Sequence, residues 1–396
     1  MDLDATLGTL IERGGSDLHL KVASPPMGRI DGELVPVSEY VLGEGDLEKI
    51  LHLVTEGQPA KREHFYAAGD LDTAYTAEDL GRFRVNGFRQ RGSISFAFRY
   101  IPKRVPSFDQ LGLPPGIQRF AEEQRGLILV TGATGSGKST TLASLIDRIN
   151  RTRRQHIVTI EDPIEIVHDD WGCIVNQREV GLDTESFLEA LRRVLRQDPD
   201  VILIGELRDE ESAKAALQAA ESGHLVLSTM HTIDAAETVG RLIEFFPPEK
   251  QQMVREVLAG VLRGVISQRL LPKVGGGRVV AVEVMVNTAR IADLIRDPAK
   301  TEGITEAIEA GDFHEMQSFA QHLVQLVLDE LVDFETAAAA ASNRHDFELA
   351  VQQAVRKKQA EESGATVAVD VTDVGQEPEA APDEDDGLPG LRVVEG

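Results

Sequence analysis

Residues 126–140 read GLILVTGATGSGKST. Residues 127–130 are an apolar run typical of a buried strand, and the nine residues from Gly132 fit the pattern GxxxxGK[ST]. Glycines in such a loop let backbone N–H groups turn toward a phosphate. The N-terminus of the following helix adds free donors and the positive end of its dipole. The stretch therefore predicts a strand, a nucleotide-phosphate loop and a helix, in that order.

Each position of this loop has an expected chemical task. The Lys138 ammonium is expected to reach the β- and γ-phosphates of ATP, and the Ser139 hydroxyl is expected to ligate Mg²⁺. The residues predicted to bind the nucleotide here are Gly132, Ala133, Thr134, Gly135, Ser136, Gly137, Lys138, Ser139 and Thr140.

Strand-like and helix-like stretches alternate beyond the loop. Apolar runs typical of buried strands occupy 157–160, 201–204 and 225–227, and helical spacing occupies 138–150, 184–197, 209–222 and 235–243. This alternation predicts an α/β fold with a mainly parallel sheet and helices on both faces. The pattern of 248–355 predicts mainly helix around one strand at 279–286.

The N-terminal hundred residues predict a separate small α/β domain. Residues 18–22 alternate like a strand, 28–34 read as two short strands about an Asp-Gly turn, and 81–100 are rich in strand patterns. Helical spacing covers 45–56. Four prolines within 101–116 predict a linker between this domain and the nucleotide-binding part.

The charge of the chain limits its partners. The 396 residues carry a net charge of −25, of which residues 361–396 contribute −10. Such a surface opposes binding to nucleic acid or anionic lipid, although it does not exclude a local basic channel. The tail from 359 is predicted to be disordered, with a strand at 366–371 as the alternative.

Cysteine content and hydropathy indicate the compartment. Cys173 is the single cysteine of the sequence, so neither an intrachain disulfide nor a cysteine-rich zinc site is possible. No apolar run approaches the roughly 20 residues that span a bilayer, and the N-terminus does not resemble a signal peptide. These features predict a cytoplasmic protein without direct membrane insertion.

Acidic residues and a histidine follow the predicted strands. Glu206 ends the run 201–204, and a strand beside that of the phosphate loop would place it near the γ-phosphate and the metal. The segment 159–165 ends in three carboxylates within five residues, a like-charge cluster that a cation would relieve. His231 follows the run 225–227. The alternatives are a helix-capping acid, a solvated turn and a structural histidine.

Four segments together resemble the secretion and type IV pilus ATPase family. They are the phosphate loop, the acidic segment TIEDPIE at 159–165, VILIGELRD at 201–209 and HLVLSTMHTIDAAETVGRLI at 224–243. The resemblance covers residues 10–355. More narrowly, SDLHL at 16–20, RFRVN at 82–86 and RIADLIR at 290–296 are similar to segments of the PilT-like retraction ATPases of twitching motility.

The resemblance implies the architecture and the roles of individual residues. It implies a PAS-like domain at 1–100, a linker at 101–116, a RecA-like ATPase core at 117–290, a helical C-terminal region at 291–358 and a tail at 359–396. It implies Glu165 as the general base and Glu206 as a metal-supporting acid. His231 and His224 would contact or couple to the γ-phosphate, and the N-terminal domain would supply Arg82, Arg84 and Arg99 to the nucleotide.

The resemblance also implies an assembly and a task. The expected form is a homo-hexameric, Mg²⁺-dependent ATPase that acts peripherally at the inner face of the cytoplasmic membrane on an inner-membrane pilus platform protein. ATP-driven domain rotation would retract the pilus. Pilus extension, secretion or conjugation, a weakly hydrolysing accessory ring component, and a nucleic-acid motor remain the alternatives. Asp293 and Asp297 depart from the family's pattern in the C-terminal motif.

Overall fold

The computed structural model describes residues 1–30, 32–77, 80–101 and 105–362 (360–362 as backbone only). An antiparallel sheet forms the N-terminal part of the chain. Its strands run in the order β3-β2-β1-β6-β5-β4. The elements are α1 Leu3–Glu12, β1 Asp17–Lys21, β2 Met27–Ile30, β3 Glu33–Pro36, α2 Glu44–Val54, α3 Pro59–Ala68, β4 Asp70–Ala77, β5 Gly81–Gln90 and β6 Ser93–Ile101. The predicted strands at 18–22, 28–34 and 81–100 and the helix at 45–56 are confirmed within one or two residues.

Apolar side chains from the helices and one face of this sheet form its core. Phe83, Val85 and Phe98 are fully buried, whereas the arginines that alternate with them lie half-buried or exposed. The period of two in 81–100 therefore separates a core face from a polar face.

A second, seven-stranded sheet carries the phosphate loop. Its order is β13-β12-β7-β11-β10-β8-β9, and every neighbouring pair is parallel except β12 with β13. The elements up to the last parallel strand in sequence are α4 Phe108–Leu111, α5 Pro115–Gln118, β7 Gly126–Thr131, α6 Lys138–Thr152, β8 His156–Glu161, β9 Ile174–Glu179, α7 Phe187–Val194, β10 Val201–Ile204, α8 Glu210–Glu221, β11 Leu225–Met230, α9 Ala235–Glu244, α10 Pro248–Val261 and β12 Leu262–Pro272. The predicted α/β fold class is confirmed.

One prediction for the C-terminal part is wrong. The single strand expected at 279–286 is β13 Arg278–Val286, but it pairs antiparallel with β12, which was taken as helix. The polar residues Ser267 and Gln268 interrupt the apolar pattern of β12, so the sequence does not indicate a buried strand there. Both side chains are buried. Their burial is tolerated because Ser267 accepts a hydrogen bond from Thr131 and Gln268 donates one to Thr141.

The C-terminal part of the predicted linker packs onto the second sheet. Phe108 and Leu113 are buried in the same core as β7, and Ser144 of α6 donates a 2.8 Å hydrogen bond to the carbonyl of Pro106. Residues 102–104 lie outside the described residues. The chain from Pro106 onward is therefore attached to the nucleotide-binding part.

Short helices follow the hairpin β12–β13. They are α11 Ala289–Arg296, α12 Ile304–Glu309, α13 Phe319–Leu328, α14 Phe334–Ala340 and α15 Arg344–Glu362. Helix α15 continues past residue 359, where the disordered tail was predicted to begin, while 363–396, with the alternative strand at 366–371, lie outside the described residues. Among the helices that the structure describes, none is long and apolar enough to cross a membrane.

Candidate functional site

The phosphate loop joins the end of β7 to the start of α6, as the sequence predicts. Gly132 has a φ of 139°, and a Cβ at this position would lie 2.4 Å from the carbonyl oxygen of Gln268. Gly137 has a φ of 95° and precedes the first residue of α6, Lys138. Since these left-handed conformations and this close approach both favour glycine, the glycines at these positions are a requirement of the backbone path.

The loop contains polar groups that suit a phosphate. The Ser136 hydroxyl is buried without a hydrogen-bond partner. Lys138 Nζ donates to the carbonyl oxygens of Gly132 and Ala133 at 2.8 and 3.0 Å, so it lies over the loop. A buried, unpartnered donor beside an ammonium group and the N-terminus of α6 is a site for an anion.

A cavity of about 260 Å³ opens beside the loop at the carboxyl ends of the parallel strands. Thr134, Lys138 and Ser139 form one wall. The opposite wall is supplied by β8, β10 and β11 and the residues that follow them, namely Glu161, Asp162, Glu165, Gly205, Glu206, Arg208, Thr229 and His231. The acids and the histidine predicted from separate strand ends therefore meet at a single cleft.

Other loop residues face a second cavity of about 340 Å³. Its lining includes Gly132, Ala133, Gly135 and Ser136 on one side and Gln268 of β12 on the other. Thr134 lines both cavities. The phosphate loop therefore separates two openings at the same edge of the sheet, whereas Thr140 lies within the first turn of α6.

Glu206 follows the predicted strand, but that strand is not the neighbour of β7. Strand β10 is not adjacent to β7, because β11 lies between them. Glu206 Oε2 instead lies 3.0 Å from Nε2 of His231, which follows β11, and Glu206 Oε1 forms an ion pair with Arg208. The intervening strand thus places His231 between Glu206 and the phosphate loop.

The electrostatics of the cleft favour a neutral imidazole. Burial lowers the pKa of His231, and the nearby charges of Lys138 and Arg208 lower it further. Burial also lowers the pKa of Lys138, while the carboxylate of Glu165 acts in the opposite direction. Glu165 and Lys138 both line this cavity.

The carboxylates at the end of β8 and in the turn that follows differ in surroundings. Burial raises the pKa of Glu161, against the effect of hydrogen bonds from Thr159 Oγ1 at 2.7 Å and Gln177 Nε2 at 3.1 Å. Glu165 is exposed in the cleft. The predicted like-charge cluster is therefore relieved in part by burial of one member, since a buried carboxyl favours its neutral form.

His224 lies away from the cleft. It immediately precedes β11, whereas His231 follows it, and the His224 ring contacts Ser222 and the carbonyl of Ala219. The two ends of a strand lie at opposite edges of a sheet. The structure therefore brings His231, but not His224, to this cavity.

The three N-terminal arginines also lie outside the cleft. Arg82 forms an ion pair with Glu179 of β9, and Arg99 forms one with Asp17 of β1. Arg84 is exposed and pairs in register with Arg99 across β5 and β6. None of the three lines the nucleotide cleft among the residues that the structure describes.

Two further residues at or beside the cleft were not assigned a role from the sequence. Arg208 lies within the segment VILIGELRD, and its pairing with Glu206 depends on the turn after β10. Glu179 ends β9, an edge strand that the sequence analysis did not predict. The Glu179 carboxylate accepts a hydrogen bond from the backbone of Ile164, next to Glu165, so its importance is visible only in three dimensions.

A parallel sheet with a phosphate loop and convergent acids at its carboxyl edge defines a P-loop nucleoside triphosphatase. The chain matches the family Type II/IV secretion system protein over residues 82–362 and belongs to that family. It is a nucleotide-binding P-loop ATPase of this family, and the predicted ATP hydrolase class is confirmed.

Individual relatives show which members of the family this chain is similar to. The chain is 43% identical over 347 residues to the type IV pilus retraction ATPase PilT of Pseudomonas aeruginosa, covering 88% of this chain and all of that protein. It is 42% identical over 320 residues to a twitching motility protein of Neisseria gonorrhoeae, covering 80% of this chain and 84% of that protein. A crystal structure of the pilus retraction motor PilT with bound ADP matches with a TM-score of 0.81 and 42% identity, covering 88% of this chain and 99% of that one.

Proposed function

We propose that this protein is the ATPase that powers retraction of a type IV pilus. The observation that carries the proposal is the match to the whole length of a retraction ATPase at 43% identity. Hydrolysis at this site is supported by the cavity that Lys138, Glu165, Glu206 and His231 line together. The protein would act as a homo-hexamer at the inner face of the cytoplasmic membrane, through an inner-membrane pilus platform protein.

The residues of the cleft suit defined roles in hydrolysis. Lys138 and the N-terminus of α6 would neutralise the phosphates, because phosphoryl transfer depends mainly on positioning and electrostatics. Glu165, exposed opposite Lys138, would accept the proton of the attacking water. The neutral His231 imidazole, which contacts Glu206, would donate a hydrogen bond to the γ-phosphate or to Glu206. It would therefore respond to loss of the γ-phosphate.

The cleft also suits a magnesium ion that arrives with the nucleotide. Magnesium prefers oxygen ligands and is held in such sites by one or two protein oxygens together with phosphate oxygens. The hydroxyl of Ser139 and the carboxylate of Glu206 would hold it, and it would screen the negative charge of the phosphates.

Movement of the N-terminal domain would convert hydrolysis into work. Arginine suits the spread charge of a phosphoryl group, because its guanidinium is planar and permanently charged. Arg82 is held by Glu179 at the edge of the ATPase sheet, so exchange of that carboxylate for nucleotide phosphate would shift the domain. In a closed ring this rigid-body motion would pass between subunits.

Deletion of the gene tests the direction of the work. We expect loss of twitching with retained or increased surface pili, counted by electron microscopy, and restoration by the wild-type gene but not by a Lys138→Ala gene. Cells without pili would contradict retraction and favour extension. Unchanged pili and motility together with a defect in protein export would favour secretion.

A further inference from the structure

A buried acid lies in β13, outside the nucleotide cleft. Glu283 is 5% exposed, and its neighbours Val282 and Val284 are fully buried. A carboxyl group in such surroundings is stable only with hydrogen-bond partners. The hydrolytic roles proposed above leave Glu283 without a function, so its partners are informative.

The first turns of two helices, α9 and α13, lie next to Glu283. Its Oε1 accepts a 2.8 Å hydrogen bond from the backbone N–H of Ala235, the first residue of α9. The backbone N–H of Phe319, the first residue of α13, lowers the pKa of Glu283, and the neighbouring Val284 pairs with Gln317, just before this helix. Free N–H groups and the positive dipole end make each helix N-terminus attract a carboxylate. The Glu283 side chain therefore binds the start of α9 and lies beside the start of α13.

Polar residues on the neighbouring strands β12 and β7 lie between this acid and the phosphate loop. In the register of the sheet, Glu283 lies opposite Ser267, and Ser267 lies opposite Thr131. Thr131 Oγ1 donates a 2.9 Å hydrogen bond to Ser267 Oγ, and Thr131 immediately precedes Gly132. Glu283 thus stands at the level of the sheet where the phosphate loop begins.

The segment between His231 and Ala235 is held at both ends. His231 contacts Glu206 at 3.0 Å, and Ala235 contacts Glu283 at 2.8 Å. Only three residues separate the two ends. A shift of the first turn of α9 is therefore carried directly to the imidazole in the cleft.

We infer that Glu283 is a positioning residue for ATP hydrolysis: it fixes the start of α9, and through it the His231 segment, relative to α13 of the C-terminal region. Loss of the γ-phosphate at His231 is then transmitted to the C-terminal helices through this carboxylate. The inference rests on the hydrolysis proposed for this cleft and is independent of whether the work is retraction.

The surroundings of Glu283 make the link sensitive to pH. Burial raises the pKa of Glu283 to about 7, Asp234 at the start of α9 raises it as well, and Arg269 of β12 opposes them. His322 of α13 accepts a hydrogen bond from the Val282 backbone, and burial lowers its pKa to about 4, so it is neutral near pH 7. As the pH rises through about 7, Glu283 ionises and its attraction to both helix N-termini strengthens.

The test compares Glu283→Gln with Glu244→Gln in the full-length protein. The first change keeps the shape of the side chain and removes its charge, while Glu244 is exposed at the other end of α9. We expect kcat of Glu283→Gln to fall about tenfold, the size of one lost charge-assisted hydrogen bond, with KM for ATP within about twofold of wild type. Amide exchange at Ala235 and Phe319 should accelerate together, and the control should change neither quantity.

The pH profile supplies a readout that loss of packing alone would not change. The wild-type kcat should rise as the pH passes through about 7, and this step should be absent in Glu283→Gln. A wild-type kcat in Glu283→Gln, or a lowered kcat with unchanged exchange at Ala235, overturns the inference. Should that variant not fold, exchange at Ala235 and Phe319 in the wild type, corrected for the intrinsic rate, must slow between pH 6 and 8, and unchanged exchange overturns it equally.

Discussion

Arg82 of the antiparallel sheet and Glu179 of the parallel sheet form a 2.7 Å ion pair with side-chain exposures of only 17% and 6%. The same carboxylate oxygen of Glu179 accepts a 3.2 Å hydrogen bond from the backbone N–H of Ile164, the residue before Glu165. A contact from the N-terminal part of the chain is therefore continuous with the turn that carries the proposed base.

Removal of Glu179 should affect both stability and turnover. Breaking a buried ion pair by removing one partner leaves an uncompensated charge and costs about 3–5 kcal/mol. We expect Glu179→Ala to lower the free energy of unfolding in urea by roughly this amount and to lower kcat, because the Ile164 contact is lost too. Glu185→Ala, at an exposed acid nearby, is the control. Equal urea midpoints for the two variants would show that the pair contributes nothing.

Lys138→Ala should abolish tight nucleotide binding. The ammonium lies over the loop carbonyls of Gly132 and Ala133, where a bound phosphate would take their place as its partner. Binding of a fluorescent ADP analogue should weaken by at least about a hundredfold, which is the cost of removing a charged contact in a partly buried site. Lys214→Ala, at an exposed lysine of α8, should bind as the wild type does. Retained affinity in Lys138→Ala would contradict the phosphate site.

Two acids after β8 should respond differently to the same substitution. Glu165→Gln should bind ATP but hydrolyse it about 10²–10⁴-fold more slowly, the usual contribution of a general base. Glu161→Gln should keep most activity, because burial already favours the neutral carboxyl and an amide oxygen can accept from Thr159. Single-turnover hydrolysis with pre-bound ATP separates binding from chemistry. A larger loss of hydrolysis in Glu161→Gln than in Glu165→Gln would identify Glu161 as the general base instead.

The titration of His231 should be displaced to low pH. Its pKa lies below the ordinary value of 6.5 because of burial and the charges of Lys138 and Arg208. The neutral imidazole therefore contributes stability that is complete above about pH 6.5 and is lost as the pH falls through the lowered pKa. Proton NMR of the imidazole should show a midpoint below 6.5, and Arg208→Ala should move it upward. A midpoint at or above 6.5 would contradict the arrangement of charges.

The sequence predicted the parts of the site that are encoded locally. The phosphate loop at 132–140 follows from glycines whose left-handed φ angles, 139° at Gly132 and 95° at Gly137, are a property of the loop itself. Strands β7, β8, β10 and β11 follow from short apolar runs that are buried on both faces. Glu165, Glu206 and His231 follow predicted strands, and they line one cavity because the carboxyl ends of parallel strands share one edge.

Features that depend on the order of strands were not predicted from the sequence. Strand β12 contains buried Ser267 and Gln268, which are acceptable only because Thr131 and Thr141 are close in the folded chain. His224 was grouped with His231, although a six-residue strand separates them and sets them at opposite edges. Arg82 was directed at phosphate, whereas its partner is Glu179 on an edge strand that the sequence did not reveal.

The sequence by itself determined the phosphate loop, the α/β class and the acids available for hydrolysis, because backbone conformation and hydrophobic period act over a few residues. Tertiary structure alone decided that β11 separates β7 from β10, that His231 therefore stands beside Glu206, and that Glu283 binds the start of α9. These relations connect residues from 25 to 48 positions apart. They are set by the packing of whole strands and helices, which no local pattern of residues encodes.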